Sequence, residues 1–492
     1  MNETINSENM FYKYEQNQNI LLPQDIREIL WDSHESVILS EIIDSLDHTQ
    51  LITSYATHKD VKWRPAYHPV MMLKVFFYAY MNQTFSSRKI SKKLTTDISY
   101  MYLSGNTNVN FRSINRFRKD KWEYLENLFV QIVRHAQTLG LISFGNVSLD
   151  GTKIYANASK SKFQESQQIQ EQLEKKISSF FDQAEEIDSV EDEEYGEENL
   201  DHIPEELRTK EWREKKRQEI EKQENQMKEK QEKWDKEKQT KKTWRTKQIR
   251  VNSTDQDCKL MKMKRKDWWA GYSPQILTEN RFIVSARVSN SWEDSWELIP
   301  SLKKMKNQYG VFPENHVADT GYASEENYNF LKNNRIDSYI PHQKKVLDVE
   351  KYIYDWGNNT YTDVKGNIYT LKQHVRREKW KRGRPNKNTI LKESEILARI
   401  YETQSTKTEK KYLYINKKWL ELCRENDERL YSENWKKLYK KRSGCVENVF
   451  GNIKWNLWFE RFSLRGFHGV QIEWNLISLA HNLKKLVHLK RV

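Results

Sequence analysis

At residues 146–160 the chain reads NVSLDGTKIYANASK. Val147 and Leu149 alternate with polar neighbours, a pattern typical of a β-strand with one buried face. Gly151 permits a turn or bulge, and KIYANA continues as a second strand. We therefore expect Asp150 near the end of the first strand, with its carboxylate facing a cleft. The alternative is that Asp150 and Gly151 form a hairpin turn, which is the commoner use of this pair.

A second aspartate follows a predicted strand within residues 312–334, FPENHVADTGYASEENYNFLKNN. Residues 316–318 have the pattern of the end of a buried strand, and Asp319 comes directly after them. Sheets in α/β proteins tend to hold ligands just beyond the carboxyl ends of their strands. Asp319 is therefore a candidate catalytic residue. Helix capping is the alternative, although Ser324 can already cap the helix that follows.

A third carboxylate, Glu447, lies in a predicted helix. The helix is indicated by the apolar positions Val446, Val449, Phe450 and Ile453. Gly451 and Lys454, four and seven residues further on, are expected on the same face as Glu447. A helix face that combines a glutamate with a glycine, which has no side chain, and a lysine indicates that an anion approaches it. The alternative is an ordinary solvated Glu–Lys face.

Two aspartates and a glutamate brought together can hold two Mg²⁺ ions, because hard cations prefer carboxylate oxygen. Two such ions can activate a water or a 3′-hydroxyl group and stabilise the leaving oxygen of a phosphodiester. Without metal the same charges would repel one another and raise the pKa of at least one carboxyl group.

The composition favours a polyanionic partner and excludes several classes of protein. The 492 residues contain 83 Lys and Arg against 70 Asp and Glu, a net charge of +13. Residues 161–250 hold 25 acidic and 20 basic residues, so the remainder of the chain carries +18. The sequence has no run of 18 apolar residues, so we expect no membrane span. Its polar start, MNETINSENM, does not have the pattern of a secretory signal. Three cysteines are too few for a disulfide framework or a cysteine-based zinc site.

The first 140 residues are predicted to be helical and basic. Apolar periodicity indicates helices within residues 22–57, and Pro69 begins a further helix with VMMLKVFFYAYM. The following short helices favour a DNA reader of helix-turn-helix type, and an ordinary helical bundle with a basic face is the alternative. The candidate DNA-binding residues are Arg88, Lys89, Lys92, Lys93, Arg112, Arg116 and Arg118.

The combination resembles the bacterial insertion-sequence transposases of the DDE type, and most closely the IS1182 group of IS4/IS5-like elements, over roughly residues 60–490. The resemblance rests on AYHPVMMLKVFFYAYMNQTFSSRKI, FRSINRFRKD, LDGTKIYANASK, STDQDCKLMKMK, WAGYSPQILTENRFIV, VADTGYASEENY and the C-terminal YKKR, VENVFGNIK, RFSLRG and NLKKL, in this order. It implies an α/β fold in which helices flank an RNase H-like mixed sheet.

The resemblance also implies roles for individual residues. Asp150, Asp319 and Glu447 would form the catalytic triad and bind two Mg²⁺ ions, with Mn²⁺ as a possible substitute. Tyr439, Arg442 and Lys454 match a pattern of related transposases and would bind phosphate beside the metals. The spacing from Arg442 to Glu447 is one residue longer than in that pattern. We interpret Asp255 and Asp257, which also match the family, as structural.

The expected domains follow from these motifs. Residues 1–140 form the DNA-binding domain, and residues 141–344 and 426–492 form the catalytic domain. Residues 161–250 are expected to be a charged, solvated helical insertion. The alternative is that they form an arm that dimerises or follows the DNA. Residues 345–425 are expected to form a β-rich insertion without a zinc site. Its basic loop is expected to contact the DNA backbone through Lys381, Arg382 and Arg384, and a plain solvated loop is the alternative.

The sequence thus predicts a DNA transposase that binds the terminal inverted repeats of its element and joins the freed 3′-hydroxyl groups to target DNA. Its expected partners are double-stranded DNA and a second copy of the chain, and its expected location is the bacterial cytoplasm, at the nucleoid. The alternatives are a non-transposing DNA hydrolase with the same fold and a DNA-binding repressor without activity.

Overall fold

The computed structural model of the chain describes residues 25–56, 67–120, 122–165, 250–263, 267–342, 351–355, 357–376, 396–403, 412–430 and 432–491. Most of the predicted charged insertion (residues 166–249) and the predicted DNA-binding residues Lys381, Arg382 and Arg384 lie outside these ranges. By its internal contacts the chain divides into two units, residues 1–124 with 483–492, and residues 125–482. No helix in the described ranges is long and apolar enough to cross a membrane.

The unit that contains residues 1–124 is helical, as predicted for the N-terminal region. Its helices are α1 (Ile26–Leu30), α2 (Glu35–Asp44), α3 (Thr49–Ala56), α4 (Pro69–Met81), α5 (Ser87–Thr96), α6 (Ile98–Ser104) and α7 (Phe111–Asp120), and α8 (Trp122–Thr138) begins in it. Pro69 is the first residue of α4, whose side chains are almost all buried. The Asp97 carboxylate caps α6 by accepting a hydrogen bond from the backbone N–H of Ser99. Residues 111–120 and 122–138 are helical on either side of residue 121, which lies outside the described ranges.

The second unit contains a mixed sheet packed against helices, which confirms the predicted α/β class. The strands of this sheet are β1 (Asn146–Gly151), β2 (Ile154–Tyr155), β5 (Lys259–Lys262), β6 (Trp268–Glu279), β7 (Phe282–Ser289), β8 (Asn315–Val317) and β9 (Asp337–Tyr339). Strand β3 (Phe163–Glu165) pairs separately with β4 (Arg250–Asn252), so the chain segments on either side of residues 166–249 lie next to each other.

The direction of the strands determines which residues meet at one edge of the sheet. Strand β6 runs antiparallel to both β1 and β7, whereas β8 is parallel to β1 and β9 is parallel to β8. Strands β7, β1, β8 and β9 therefore all point the same way, and their carboxyl ends lie on the same side of the sheet. The register pairs Asp150 with Ile276 and Gly151 with Gln275.

Five further strands form a second sheet in which every pairing is antiparallel. They are β10 (Ile353–Asp355), β11 (Thr360–Thr362), β12 (Ile368–Arg376), β13 (Ile396–Thr403) and β14 (Tyr412–Ile415). Three tyrosines, Tyr361, Tyr369 and Tyr401, form the core of this sheet together with Leu413 and Ile415.

The remaining helices of the described chain are α9 (Leu298–Tyr309), α10 (Glu325–Asn333), α11 (Lys417–Leu430), α12 (Glu433–Arg442), α13 (Asn448–Gly451) and α14 (Gly466–Arg491). Ser324 caps α10 as predicted, because its side chain accepts a hydrogen bond from the backbone N–H of Asn327 at 3.2 Å.

Two carboxylates hold the N-terminus of α14. Asp255 accepts hydrogen bonds from the backbone N–H of Gly466 and from the Tyr272 hydroxyl, at 3.3 and 2.8 Å. Asp257 accepts one from the N–H of Phe467 at 3.0 Å. Negative charge is stabilising at a helix N-terminus, so this geometry agrees with a structural interpretation of both residues.

Candidate active site

Asp150 and Asp319 lie at the carboxyl ends of two neighbouring parallel strands. Asp150 is the penultimate residue of β1, and Asp319 follows β8 by two residues. The Asp150–Gly151 pair continues the strand instead of forming a hairpin, since Gly151 pairs with Gln275 of β6. The two aspartates are thus on the side of the sheet where α/β proteins commonly bind ligands.

Gly151 lets the Gln275 side chain lie directly against β1. A Cβ atom at Gly151 would come within 2.3 to 2.8 Å of three atoms of the buried Gln275 side chain. Gln275 in turn accepts a hydrogen bond from the Tyr322 hydroxyl at 2.6 Å. Since Tyr322 follows Asp319 by three residues, this contact ties the Asp319 loop to the strands that carry Asp150.

A single guanidinium group approaches both aspartates. A terminal nitrogen of Arg442 (Nη2) lies 3.3 Å from Asp150 Oδ2 and 4.0 Å from Asp319 Oδ2. The Arg442 side chain is 11% exposed, and its buried Nε has no hydrogen-bond partner among the described residues. Arg442 is thus a largely buried cation beside two carboxylates.

Tyr439 supports this arginine. The Arg442 Cζ atom lies 5.9 Å from the centre of the Tyr439 ring, within range of a cation–π contact. Tyr439 also stacks on Trp435, with 5.2 Å between ring centres, and packs against a cluster that includes Val317 of β8. The aromatic pair therefore fixes the end of α12 to the strand that leads to Asp319.

The site raises the pKa of the Asp150 carboxyl group from its ordinary value of 3.8 to about 6. Burial is the largest cause, because it disfavours the charged form. The Arg442 charge and a hydrogen bond from the Gly151 N–H oppose the rise, whereas the negative charges of Asp319 and Asp294 add to it. When no further cation is bound, the charged form of the Asp150 carboxyl group is therefore disfavoured at neutral pH.

This shift predicts a dependence of stability on pH. Because the folded protein binds the Asp150 proton more tightly than the unfolded chain does, the contribution of Asp150 to stability is complete below about pH 4. It is lost as the pH rises through about 6. In the presence of a chelator, Asp150→Asn is expected to be more stable than the wild type at pH 8 by roughly 2 to 3 kcal/mol.

Urea unfolding of both proteins at pH 4 and pH 8 measures this effect. The advantage of the variant should shrink at pH 4, where the wild-type carboxyl group is protonated. An advantage of the same size at both pH values would contradict the assignment to the Asp150 proton.

Glu447 closes a π turn that follows α12. Residues Ser443–Glu447 have the backbone hydrogen bonds of a π-helix, which join residues five apart instead of four. Such a turn takes up one extra residue, so Arg442 and Glu447 are separated by one helical turn although Glu447 is the fifth residue after Arg442. The longer spacing noted in the sequence is accommodated in this way. The turn contacts β1, and the Glu447 side chain is exposed.

Lys454 reaches the loop that follows β1. Its ammonium group donates to Thr152 Oγ1 at 2.5 Å and to the backbone carbonyl of Lys153 at 3.2 Å. Lys454 belongs to a second π turn, Asn452–Asn456. It therefore places a positive charge beside Thr152 and Lys153, which follow Asp150 by two and three residues.

Sequence reasoning missed a third aspartate near this pair. Asp294 begins a short 3₁₀ turn, Asp294–Trp296, which contacts the turn Thr320–Tyr322 directly after Asp319. Burial and the negative charge of Asp319 raise the pKa of Asp294, whereas Lys153 and a hydrogen bond with Gln275 oppose the rise. The available signal was its place in the chain, five residues after the strand β7.

The predicted DNA-binding residues of the helical unit are mostly exposed. Helices α5 and α7 contact each other, and the guanidinium carbons of Arg88 and Arg112 lie 5.2 and 5.9 Å from the Phe111 ring centre. The exposed members are Arg88, Lys89, Lys92, Arg112 and Arg116, and Lys93 is half-buried over the Tyr100 ring.

The position of Arg118 disagrees with its prediction as a DNA-binding residue. It is only 8% exposed, and its guanidinium donates to Asn115 at 2.8 Å and more distantly to the Tyr80 hydroxyl. Because Arg118 lies four residues after the buried Ile114, it shares the inner face of α7. Arg118 is part of the packing between helices and does not belong to the exposed basic surface.

The aspartates fit the type of ligand that divalent metal ions require. Carboxylate oxygens are the donors that Mg²⁺ prefers, and both Asp150 and Asp319 are turned towards one positive group, Arg442. Within the described part of the chain, no three His, Cys, Asp or Glu side chains are gathered closely enough to hold a metal ion. Arg442 is the cation that compensates the two aspartates in this structure.

Comparison with known proteins identifies two regions of the chain. Residues 399–487, which include Arg442, Glu447 and Lys454, match the family described as Transposase DDE domain. Residues 24–120, which include the basic helices α5 and α7, match the Transposase domain DUF772. No curated protein and no solved structure matches the chain. The chain therefore carries two transposase domains, and it is a DNA-cleaving enzyme of the DDE transposase type.

Proposed function

We propose that this enzyme binds the terminal inverted repeats of an insertion sequence, cleaves the phosphodiester bonds at their ends, and joins the freed 3′-hydroxyl groups to target DNA. The observation that carries the proposal is the convergence of Asp150 and Asp319 on Arg442. This convergence occurs at the carboxyl ends of two parallel strands, in a chain that carries a transposase DDE domain. The DNA substrate implies action at the bacterial nucleoid.

Asp150, Asp319 and Glu447 are the residues that would hold two Mg²⁺ ions, or Mn²⁺ in their place. When bound, such ions lower the pKa of an attacking water or hydroxyl group and stabilise the charge on the leaving oxygen. Asp150 is the most buried of the three, so its carboxylate would gain most from a bound cation. The π turn supports the role of Glu447, because it brings this residue one helical turn from Arg442.

Arg442, Lys454 and Tyr439 are proposed to bind the scissile phosphate and the DNA next to it. Among the described residues the buried Nε of Arg442 has no hydrogen-bond partner, and a phosphate group that entered the site would accept a hydrogen bond from it. Lys454 stands beside the loop after Asp150, where its charge can neutralise a neighbouring phosphate. Tyr439 holds Arg442 in position through its ring.

The mixed sheet flanked by helices supports an RNase H-like core, and the order of the motifs supports a place in the IS1182 group. Joining requires two DNA ends in one complex, so we propose that the enzyme works as a homodimer on DNA. The helical unit would read the inverted repeats through Arg88, Lys89, Lys92, Lys93, Arg112 and Arg116.

A cleavage and joining assay tests the proposal. The substrate is a DNA end from the flanks of the reading frame, labelled at the 5′-terminus of the strand whose freed 3′-hydroxyl group is to be joined, together with a target plasmid and Mg²⁺. We expect cut ends and labelled plasmid, and neither product with a chelator or with Glu447→Gln. Cut ends without joining would indicate a hydrolase, and specific binding without cutting would indicate a repressor. Either result overturns the proposed transposition.

The exposed lysines of α5 give a prediction for DNA binding. Lys89 and Lys92 are exposed and three residues apart, so they project from one face of the helix. If both contact phosphates, Lys89→Gln/Lys92→Gln should lower DNA affinity roughly tenfold near physiological salt. It should also reduce the dependence of log affinity on log salt by about two units of slope.

Fluorescence anisotropy at several salt concentrations measures both quantities. The matched control is Lys74→Gln/Lys490→Gln in the same helical unit, because these lysines are paired with Asp44 and Glu41 at 2.6 and 2.9 Å. Equal losses in the two double variants would mean that only the net charge matters, and would contradict a specific role of α5.

A further inference from the structure

Three strands of the mixed sheet that point the same way each have an aspartate at or beyond their carboxyl ends. Asp150 is the penultimate residue of β1, Asp319 follows β8 by two residues, and Asp294 follows β7 by five. Because β6 is antiparallel to both β1 and β7, the carboxyl end of β7 lies on the same side of the sheet as the ends of β1 and β8. The topology therefore brings Asp294 to the edge that already holds the candidate catalytic pair.

The side chains of Asp294 and Asp319 meet at Gly321. A Cβ atom at Gly321 would lie 3.0 Å from Asp319 Oδ1 and 3.4 Å from Asp294 Oδ2. The Gly321 N–H donates to Asp319 Oδ1 at 2.9 Å. The two carboxylates thus approach the same small space, which only a residue without a side chain leaves open.

Asp294 differs from the two other acidic residues of its loop. Glu297 is buried and is already paired, because it accepts a hydrogen bond from Ser289 at 2.6 Å and forms an ion pair with Arg287. Glu293 is exposed. The Asp294 carboxylate lies beside Gly321 together with that of Asp319, and its negative charge adds to the rise in the pKa of Asp150.

Gln275 connects Asp294 to the rest of the site. Its amide takes part in a hydrogen bond with Asp294, and its carbonyl oxygen accepts the Tyr322 hydroxyl at 2.6 Å. The same side chain fills the space above Gly151, next to Asp150. Asp294 is therefore next to a buried residue that also contacts the elements carrying the other two aspartates.

We propose that Asp294 is a fourth carboxylate of the active site, which strengthens the binding of divalent cations by Asp150 and Asp319. The inference rests on the proposed function, in which these two residues hold metal ions. An additional negative charge at the edge of a cation site increases its affinity, because affinity follows the charge of the ligands and of the groups around them.

The test compares Asp294→Asn with Glu293→Gln in the full-length protein. Each variant removes one negative charge from the same loop, and only Asp294 faces the pair. Mn²⁺ alone is the probe, and its binding is followed by calorimetry or by the loss of the free-ion paramagnetic signal. We expect Asp294→Asn to weaken Mn²⁺ binding about tenfold. Glu293→Gln should bind as the wild type does, and Asp294→Glu should recover most of the affinity.

Unfolding in the presence of a chelator separates a role in metal binding from a role in folding. A variant that unfolds as the wild type does and binds Mn²⁺ more weakly supports the proposal. Unchanged Mn²⁺ affinity in Asp294→Asn, or equal weakening in Glu293→Gln, overturns it. If the wild-type protein binds Mn²⁺ but cleaves no DNA, the proposed function fails while the comparison of the variants still decides the role of Asp294.

Discussion

Asp150→Asn is expected to lower DNA cleavage about a thousandfold while the protein still binds DNA ends. Asparagine has the shape of aspartate but lacks its charge, so the variant loses a carboxylate that would hold the metal ions. Metal assistance contributes several kcal/mol of transition-state stabilisation, and a loss of about 4 kcal/mol corresponds to about a thousandfold in rate. End binding depends on basic residues and should change little. Single-turnover cleavage of a labelled DNA end, with excess enzyme and Mg²⁺, measures the rate.

The matched control is Asp337→Asn. Asp337 begins β9 of the same sheet, at the opposite ends of the parallel strands, and its side chain is 59% exposed beside Arg429. The control should cleave within about twofold of the wild type, as most exposed substitutions are tolerated. A cleavage rate for Asp150→Asn within tenfold of the wild type would remove Asp150 from the catalytic residues.

The positions of Asp150 and Asp319 could be predicted because the local sequence carries the necessary signals. Alternation of Val147 and Leu149 indicates a strand with one buried face, and a carboxylate at the end of such a strand faces the edge of the sheet. The sequence alone does not say that β1 and β8 are neighbours. In this pairing Asn146 lies opposite Asn315, which is 169 residues away in the chain. The pairing is what brings the two aspartates together.

Asp294 was not predicted as a site residue, and Arg118 was predicted to be on the DNA-binding surface although it is buried. The physical reasons differ. Asp294 follows a strand just as Asp319 does, but its importance depends on the direction of β7 relative to β1, which is a property of the assembled sheet. Arg118 was counted as surface charge although Ile114, one turn earlier, is apolar. A long arginine can pack its stem and guanidinium among buried groups when hydrogen-bond acceptors such as Asn115 are at hand.

The π turn at Ser443–Glu447 is a feature that residue patterns do not specify. Apolar residues at Val446, Val449 and Phe450 predict a helix, and they are buried as expected. The same pattern cannot distinguish backbone hydrogen bonds between residues four apart from those between residues five apart. π turns of this kind are rare and often occur at functional sites. In this chain the π turn reconciles the spacing of Arg442 and Glu447 with their proposed shared role.

Arg442→Gln is expected to destabilise the metal-free protein by about 3 kcal/mol, and Mg²⁺ should restore much of the loss. Removing one member of a buried ion pair leaves an uncompensated charge, which costs about 3 to 5 kcal/mol. The lower end applies because the Asp150 side chain is 21% exposed and the Asp319 side chain 42% exposed, so that water screens part of the charge. A bound cation stabilises the folded state and would replace the missing guanidinium. Urea unfolding with a chelator and with saturating Mg²⁺ measures both effects.

Two further variants make the interpretation specific. Arg442→Lys keeps the charge and should lose less stability than Arg442→Gln. The double variant Asp150→Asn/Arg442→Gln should be more stable than the sum of the single effects predicts, because it removes the carboxylate that lacks a partner together with the arginine. If Arg442→Gln loses the same stability with Mg²⁺ and with the chelator, Arg442 acts through its packing on Tyr439 and not as a counter-ion. If Mg²⁺ rescues the variant, the same two aspartates that hold Arg442 in the metal-free enzyme bind the metal, and cation binding must then release Arg442 towards the phosphate of the DNA.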